Sequence, residues 1–274
     1  MSTQLAPPPP APRSLEEVNL AARRRMEETG GDPLFLAGWK RALFLHYEVE
    51  AGELQAAVPF ELDLWEGRQA IVSLVAFTIE KMRPFIGGRW TKWLLAPIAT
   101  HGFLNVRAYV RQEGEPGIFF MREWLSNRMA VRLGPRTFGL PYRFGTTEYD
   151  HRPDEGVLRG EVRGGGRCLR YRATLDDAKL RVARAGSRDE FLLERYTALT
   201  CPAAQTRKRY FHVWHEPWQQ AAAQVRIEDD SLLRGIGPWA ESARFLGANY
   251  SPGVDGVWMG WPRQIGRASC RARV

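Results

Sequence analysis

The stretch spanning residues 105–143, NVRAYVRQEGEPGIFFMREWLSNRMAVRLGPRTFGLPYR, limits the fold more than any other part of this 274-residue chain. Its first side chains alternate. Asn105, Arg107, Tyr109 and Arg111 share one face, and Val106, Ala108 and Val110 share the other. Period two is the mark of a strand with one polar and one apolar face. Gly114, Pro116 and Gly117 supply a turn. Residues 118–125 read as a second strand, with Phe119, Met121 and Glu123 on one face and Ile118, Phe120, Arg122 and Trp124 on the other. Asn105, Arg107 and Glu123 can therefore meet on one face of a sheet, in a register that the sequence leaves unset. A short helix is expected over 126–133, ended by Gly134-Pro135. The tight loop Gly139-Leu140-Pro141-Tyr142-Arg143 follows.

Short strands recur along the rest of the chain. Residues 39–49, 60–65 and 69–80 read as strands, the last with apolar residues on both sides and so covered on both faces. Strands are also expected over 144–149, 157–162, 167–175 and 208–215, with turns at Asp154-Glu155-Gly156 and Gly164-Gly165-Gly166. Helices are few. Ser14 with Glu17, and Ser187 with Glu190, form capping boxes that open helices over 14–29 and 187–196. Shorter helices are expected at 53–58 and 219–224. Residues 82–100 read as a loop whose amphipathic piece, with Trp90 and Trp93, packs on the body rather than serving as a lid. Residues 231–264 are Gly- and Trp-rich and read as irregular. This pattern argues an α+β fold with a mostly antiparallel sheet. Periodicity alone does not choose between barrel and sandwich.

No apolar run approaches the ~20 residues of a membrane span. The N-terminus lacks a basic region followed by an apolar one. A cytoplasmic protein without membrane contact is expected. Residues 1–13 hold Pro7-Pro8-Pro9-Pro10 and Pro12 and read as a disordered tail. The last ten residues, IGRASCRARV, resemble the translation of a common short-read sequencing adapter and are set aside as foreign. Without them the formal charge falls from +8 to +5, because they hold three arginines and no acid. The remaining basic residues are interleaved with acids, so no nucleic-acid partner is expected. Cys168, Cys201 and Cys270 are too far apart for a zinc pattern or a disulfide framework. His46, His101, His151, His212 and His215 show no ligand spacing. No metal and no cofactor is expected. A single domain over 14–264 is expected, without internal repeat or linker between 34 and 261.

Several segments carry a resemblance. Asn105-Val106-Arg107-Ala108-Tyr109-Val110, Pro116-Gly117-Ile118-Phe119-Phe120 and Leu140-Pro141-Tyr142 are similar to the YqjF-like family of uncharacterised bacterial proteins. Residues 39–46, Glu194-Arg195-Tyr196 and His215-Glu216-Pro217-Trp218 add to the likeness, which spans about 34–261. That family belongs to the acetoacetate-decarboxylase-like superfamily. The resemblance implies a β-barrel or cone with short flanking helices and an internal cavity.

The resemblance also implies a test of chemistry. Acetoacetate decarboxylase forms a Schiff base through a lysine after a Gly-x-Pro segment, with a second lysine beside it lowering its pKa. The matching positions here are Tyr142 and Arg143, and neither side chain forms an imine. A Glu that relatives carry two residues before Asn105 is replaced by Phe103. An imine-free site is therefore expected. Arg107 either pairs with Glu123 or Glu80, or holds a substrate carboxylate as a fork. Tyr142 is either a general acid or a loop-capping hydroxyl. The site expected is Tyr142 and Glu123 as catalytic groups, with Asn105, Arg107, Arg143 and Arg195 binding substrate. The function expected is binding of a small, anionic organic acid or a ketone, with a lyase- or isomerase-type step. A non-catalytic ligand binder and a structural protein on the same fold remain as alternatives. Oligomeric state is left open, a homo-oligomer included.

Overall fold

Two long strands, β1 (Phe35–Val49) and β3 (Ala70–Pro84), form the spine, because both are apolar on two faces and must be covered twice. The structure, a computed structural model, describes residues 14–30, 33–175, 179–202 and 208–266. The expectations for 1–13 and for all but the first two residues of the basic tail lie outside the described residues. The remaining elements are α1 (Leu15–Gly30), α2 (Ala51–Ala57), β2 (Glu61–Leu62), β4 (His101–Gln112), β5 (Glu115–Leu125), α3 (Arg128–Phe138), β6 (Tyr142–Phe144), β7 (Thr146–Arg152), β8 (Val157–Gly164), β9 (Arg167–Leu175), α4 (Arg188–Leu193), β10 (Thr197–Thr200), β11 (Arg209–Trp214), β12 (Ala221–Asp229), α5 (Ser231–Arg234), β13 (Arg244–Met259) and β14 (Arg263–Gln264), with a 3-10 helix, Gly88–Ile98, between β3 and β4.

Hydrogen bonding runs β1–β3–β4–β5–β10–β11–β13 and returns to β1, so these strands close into a barrel. All neighbours in this ring are antiparallel except β5 and β10. Beyond β13 the sheet continues through β12, β9, β8 and β7 and folds back, so that Tyr149 Oη of β7 donates to Phe103 O of β4 at 2.9 Å. Two cores result. Phe44, Val75, Phe77, Phe103, Phe211 and Val257 fill the barrel. Leu43, Leu45, Leu104, Val106, Leu169 and Tyr171 fill the space between barrel and outer sheet. The mostly antiparallel barrel with short flanking helices is the fold expected from the sequence.

Local expectations differ from the structure in instructive places. Residues 219–224 are not a helix. Ala221 to Asp229 form β12 between β9 and β13, where small alternating side chains fit both neighbours and tertiary pairing overrides alanine's helix preference. The supposedly irregular C-terminal stretch contains β13, a 16-residue strand. One of its glycines is a site of close approach: a Cβ on Gly253 would lie 2.1 Å from Trp39 O, and φ there is 108°. α4 stops at Leu193, and the residues after Tyr196 become β10, the strand that links β5 to β11. α3 runs through Gly134-Pro135 and ends at Gly139, whose φ is 73°. Trp90 and Trp93 do not pack on the body; they are 88% and 68% exposed. The first capping box closes reciprocally, Glu17 N–H donating to Ser14 Oγ at 3.2 Å and Ser14 N–H to Glu17 Oε2 at 3.0 Å; in the second, Glu190 N–H donates to Ser187 Oγ at 3.3 Å but the Glu190 carboxylate accepts from Gly186 N–H.

Candidate functional site

At one end of the barrel a cavity of about 80 Å3 remains. Its wall is mainly aromatic and aliphatic: Trp39, Phe77, Phe103, Phe120, Phe138 and Phe211 contribute, with Met82, Leu140 and Met259. Three polar side chains enter it, Asn105, Glu123 and Tyr142. They form one row across the sheet. Asn105 of β4 pairs in register with Glu123 of β5, and Glu123 pairs with Tyr142 of β6.

A β-bulge sets which β5 side chains face this row. Val106 pairs with Arg122, whereas Arg107 pairs with Phe120, so Met121 is the extra residue. Parity flips there. Ile118, Phe120, Glu123 and Leu125 all turn into the barrel, and Phe119 and Trp124 turn to the outer core. Strict alternation had put Phe120 and Glu123 on opposite faces. Tyr142 is held by a different device. A Cβ on Gly134 would lie 2.0 Å from Tyr142 Cε2, so the glycine read as a helix stop is the seat of the ring. Phe103 meets the same ring edge-on at 5.7 Å. The backbone turn is tied by Tyr142 N–H donating to Leu140 O at 2.9 Å and Glu123 N–H donating to Pro141 O at 3.3 Å.

Three polar atoms on this wall have no hydrogen-bond partner: Trp39 Nε1, Asn105 Oδ1 and Glu123 Oε2. Buried polar atoms are ordinarily paired, and leaving one unpaired costs about 1–3 kcal/mol. Three of the residues that line one small space thus each hold an unsatisfied polar atom: a donor, an acceptor and a carboxyl oxygen. Glu123 is 2% exposed, and burial holds its carboxyl well above the usual carboxylate range. Burial, and then the nearby Glu123, pushes the Tyr142 phenol well above its usual value. Burial thus favours the protonated form of both groups. No Lys, Arg or His lines the cavity among the described residues.

The arginines go elsewhere. Arg107 is buried on the same strand face as Asn105, but its Nη2 donates to Leu192 O at 2.8 Å and its guanidinium lies over Phe44 and Tyr109. It pairs with neither expected acid: Glu80 takes Arg41 at 2.7 Å, and Glu123 stays unpaired on Oε2. Arg107 Nε is itself without a partner. Arg195 forms a buried ion pair with Asp63 at 2.7 Å, and Asp63 also accepts from Arg111 at 2.8 Å. Arg143 is exposed, on the face of β6 opposite Tyr142; burial, and then the nearby Arg143, lowers the pKa of Arg122. The structure thus brings Asn105, Glu123 and Tyr142 together and places Arg107, Arg143 and Arg195 outside the cavity lining. Trp39, Phe120 and Met259 were not singled out. Trp39 and Phe120 both lie in segments that carried the family resemblance, but the inward direction of Phe120 needed the bulge and Met259 needed ring closure. No group of three or more His, Cys, Asp or Glu that could hold a metal occurs among the described residues.

The other resemblance segments form a clasp, and Glu194, Arg195 and Tyr196 also line a second, larger cavity of about 460 Å3 with Asp63 and Arg111. Trp218 N–H donates to Glu194 Oε1 at 2.9 Å, and Tyr196 Oη donates to Glu194 Oε2 at 2.6 Å. Asn19 Nδ2 of α1 donates to Tyr196 Oη at 3.0 Å and to His215 O at 2.7 Å, locking the helix onto the barrel.

A closed ring of this connectivity with a small chamber at one end defines an acetoacetate-decarboxylase-like barrel. Acetoacetate decarboxylase from Legionella pneumophila shares it over 97% of this chain and 98% of its own, with a TM-score of 0.57 and 14% identity. The enduracididine biosynthesis enzyme MppR, solved in complex with pyruvate, shares it over 86% of this chain and 91% of its own, with a TM-score of 0.59 and 16% identity. At such identities the likeness is one of fold. Sequence narrows it further: residues 36–255 match DUF2071, described as an uncharacterized conserved protein, and the chain belongs to that family. The uncharacterized protein YqjF of Bacillus subtilis is 29% identical over 205 residues, 72% of this chain and 80% of YqjF.

Proposed function

We propose that the cavity bordered by Asn105, Glu123 and Tyr142 binds a small carbonyl compound and catalyses its keto–enol tautomerisation without an imine. The observation that carries this is the unpartnered Glu123 Oε2 beside two further unpartnered polar atoms in an otherwise apolar chamber. A neutral carboxyl is donor and acceptor at once. Its O–H gives a proton to the carbonyl oxygen while its other oxygen takes one from the α-carbon, so the proton count balances and Glu123 is regenerated. Trp39 Nε1 and the Tyr142 hydroxyl donate toward the developing enol oxygen, and Asn105 Oδ1 accepts from the enol hydroxyl. The lining holds no cation, which favours a neutral ketone or aldehyde over the anion expected from the sequence. At ~30 Å3 per water, the chamber of about 80 Å3 has the volume of two to three waters, which limits the ligand to a very small molecule. MppR was solved with pyruvate, a small keto acid, which supports a carbonyl compound as the ligand class while differing in charge.

The test is a thermal-shift screen of acetone-sized ketones and aldehydes, followed by NMR of α-proton exchange in deuterated water. A ligand at ~100 times its dissociation constant should add about 2.7 kcal/mol. Glu123→Gln keeps a donor and an acceptor, so it should retain the shift and lose the exchange. Glu123→Ala should lose both. A shift without exchange in the wild type would leave a non-catalytic binder, and no shift from a folded protein would sink the reading.

A further inference from the structure

Two neighbouring elements on the surface, the 3-10 helix Gly88–Ile98 and α3, expose what a globular protein ordinarily hides. Trp90 and Trp93 sit three residues apart, hence on one side of a 3-10 helix, and Ile86 just before them is 68% exposed. On α3, Met129 and Leu133 are exposed one turn apart. Beside them run Arg128, Arg132 and Arg136, also exposed and spaced at i, i+4, i+8. Neither element contains an acidic residue. Among the described residues none of the three arginines has an ion-pair partner: Arg128 stacks on the half-exposed Phe144 at 3.9 Å, and Arg136 Nη1 donates to Arg132 O. The two elements are tied together, because Asn127 caps α3 by accepting from Met129 N–H and Ala130 N–H while its Nδ2 donates to Pro97 O at 2.7 Å.

We propose that this surface docks the protein on an anionic lipid bilayer. Arginines interspersed with tryptophan and aliphatic side chains, with no acid among them, complement a negatively charged surface that also accepts apolar groups. A second copy of the chain would set one arginine row against another. A single-stranded nucleic acid would stack on Trp90 and Trp93 but offers no partner for Ile86, Met129 and Leu133. The absence of a spanning segment does not bear on this surface, because an interfacial site needs exposed side chains rather than an apolar helix long enough to cross. No helix among the described residues is long and apolar enough to cross a membrane.

The experiment is flotation of the full chain with phosphatidylcholine vesicles, with and without phosphatidylglycerol, at low and high salt. Binding should need the anionic lipid and fall with salt. Arg128→Gln/Arg132→Gln/Arg136→Gln should weaken it about 100-fold, at about fivefold per arginine. Trp90→Ala/Trp93→Ala should weaken it at least tenfold even at low salt. All five side chains are exposed, so thermal melting should be unchanged in both variants, which separates lost docking from lost fold. Equal flotation of wild type and variants, or no flotation with the anionic vesicles, overturns the proposal. So does a dimer in sedimentation equilibrium that the tryptophan variant abolishes, or an oligonucleotide that displaces the protein from vesicles.

Discussion

Glu123 shows how far one side chain's surroundings can reverse its chemistry. On a surface it would be an anion at neutral pH; between Asn105 and Tyr142 in an apolar chamber, burial raises its pKa and favours the protonated form. That has a measurable sign. Its folded pKa is raised, so its contribution to stability is fully present below the unfolded value near ~4.3 and is lost as pH rises through the folded pKa. Glu123→Gln cannot ionise. Its stability relative to wild type should therefore increase from about pH 4.3 upward by up to about 1.4 kcal/mol per pH unit, then level off once the native carboxyl titrates. Urea unfolding of both proteins at stepped pH reads this directly, and a flat difference would mean that Glu123 is ionised in the native state. Glu123, Asn105 and Tyr142 could be named from the sequence because each sits on a recognisable strand or loop. Arg143 lies outside this cavity, since the strand parity of β6 puts it opposite Tyr142.

Elements of this protein are defined as much by exceptions to periodicity as by periodicity itself. The bulge at Met121 and Gly253 of β13 both broke the sequence pattern, and both serve the barrel. Gly253 lets the backbone of Trp39 approach, and Trp39 lines the cavity. Gly253→Ala adds a clash with main-chain atoms at a φ that side chains rarely adopt, so it should cost at least about 2 kcal/mol in urea unfolding. Gly52→Ala provides the opposite case. It lies in α2 with nothing within 4 Å of its would-be Cβ, and should stabilise by up to about 1 kcal/mol. Equal effects of the two substitutions would mean that the close approach at Gly253 is not sustained in solution. Local sequence could not separate these glycines, because the difference between them lies in a strand some two hundred residues away.

The whole molecule stores its acid sensitivity in its histidines. Burial depresses His46 to about 3 and His151, His212 and His215 to about 4. Each ring is thus neutral in the fold while the unfolded chain takes up protons below about pH 6.5. Stability is present above that value and is lost as pH falls toward the folded pKa values, at about 1.4 kcal/mol per unit per histidine. Cooperative unfolding, followed by circular dichroism, should have its midpoint between about pH 4 and 6, well above carboxylate titration. A native spectrum retained at pH 4 would contradict the burial of these rings. The sequence by itself determined the strand-rich α+β class, both serine caps and the family, because period-two alternation, capping and motif residues act over a few neighbours. Only the tertiary structure decided that the sheet closes, that β12 and β13 are strands, and that Glu123 faces a chamber with Asn105 and Tyr142 while the arginines do not. Ring closure pairs β11 with β13 and β1 with β13 across long stretches of chain, and no local pattern records which face a distant strand will cover.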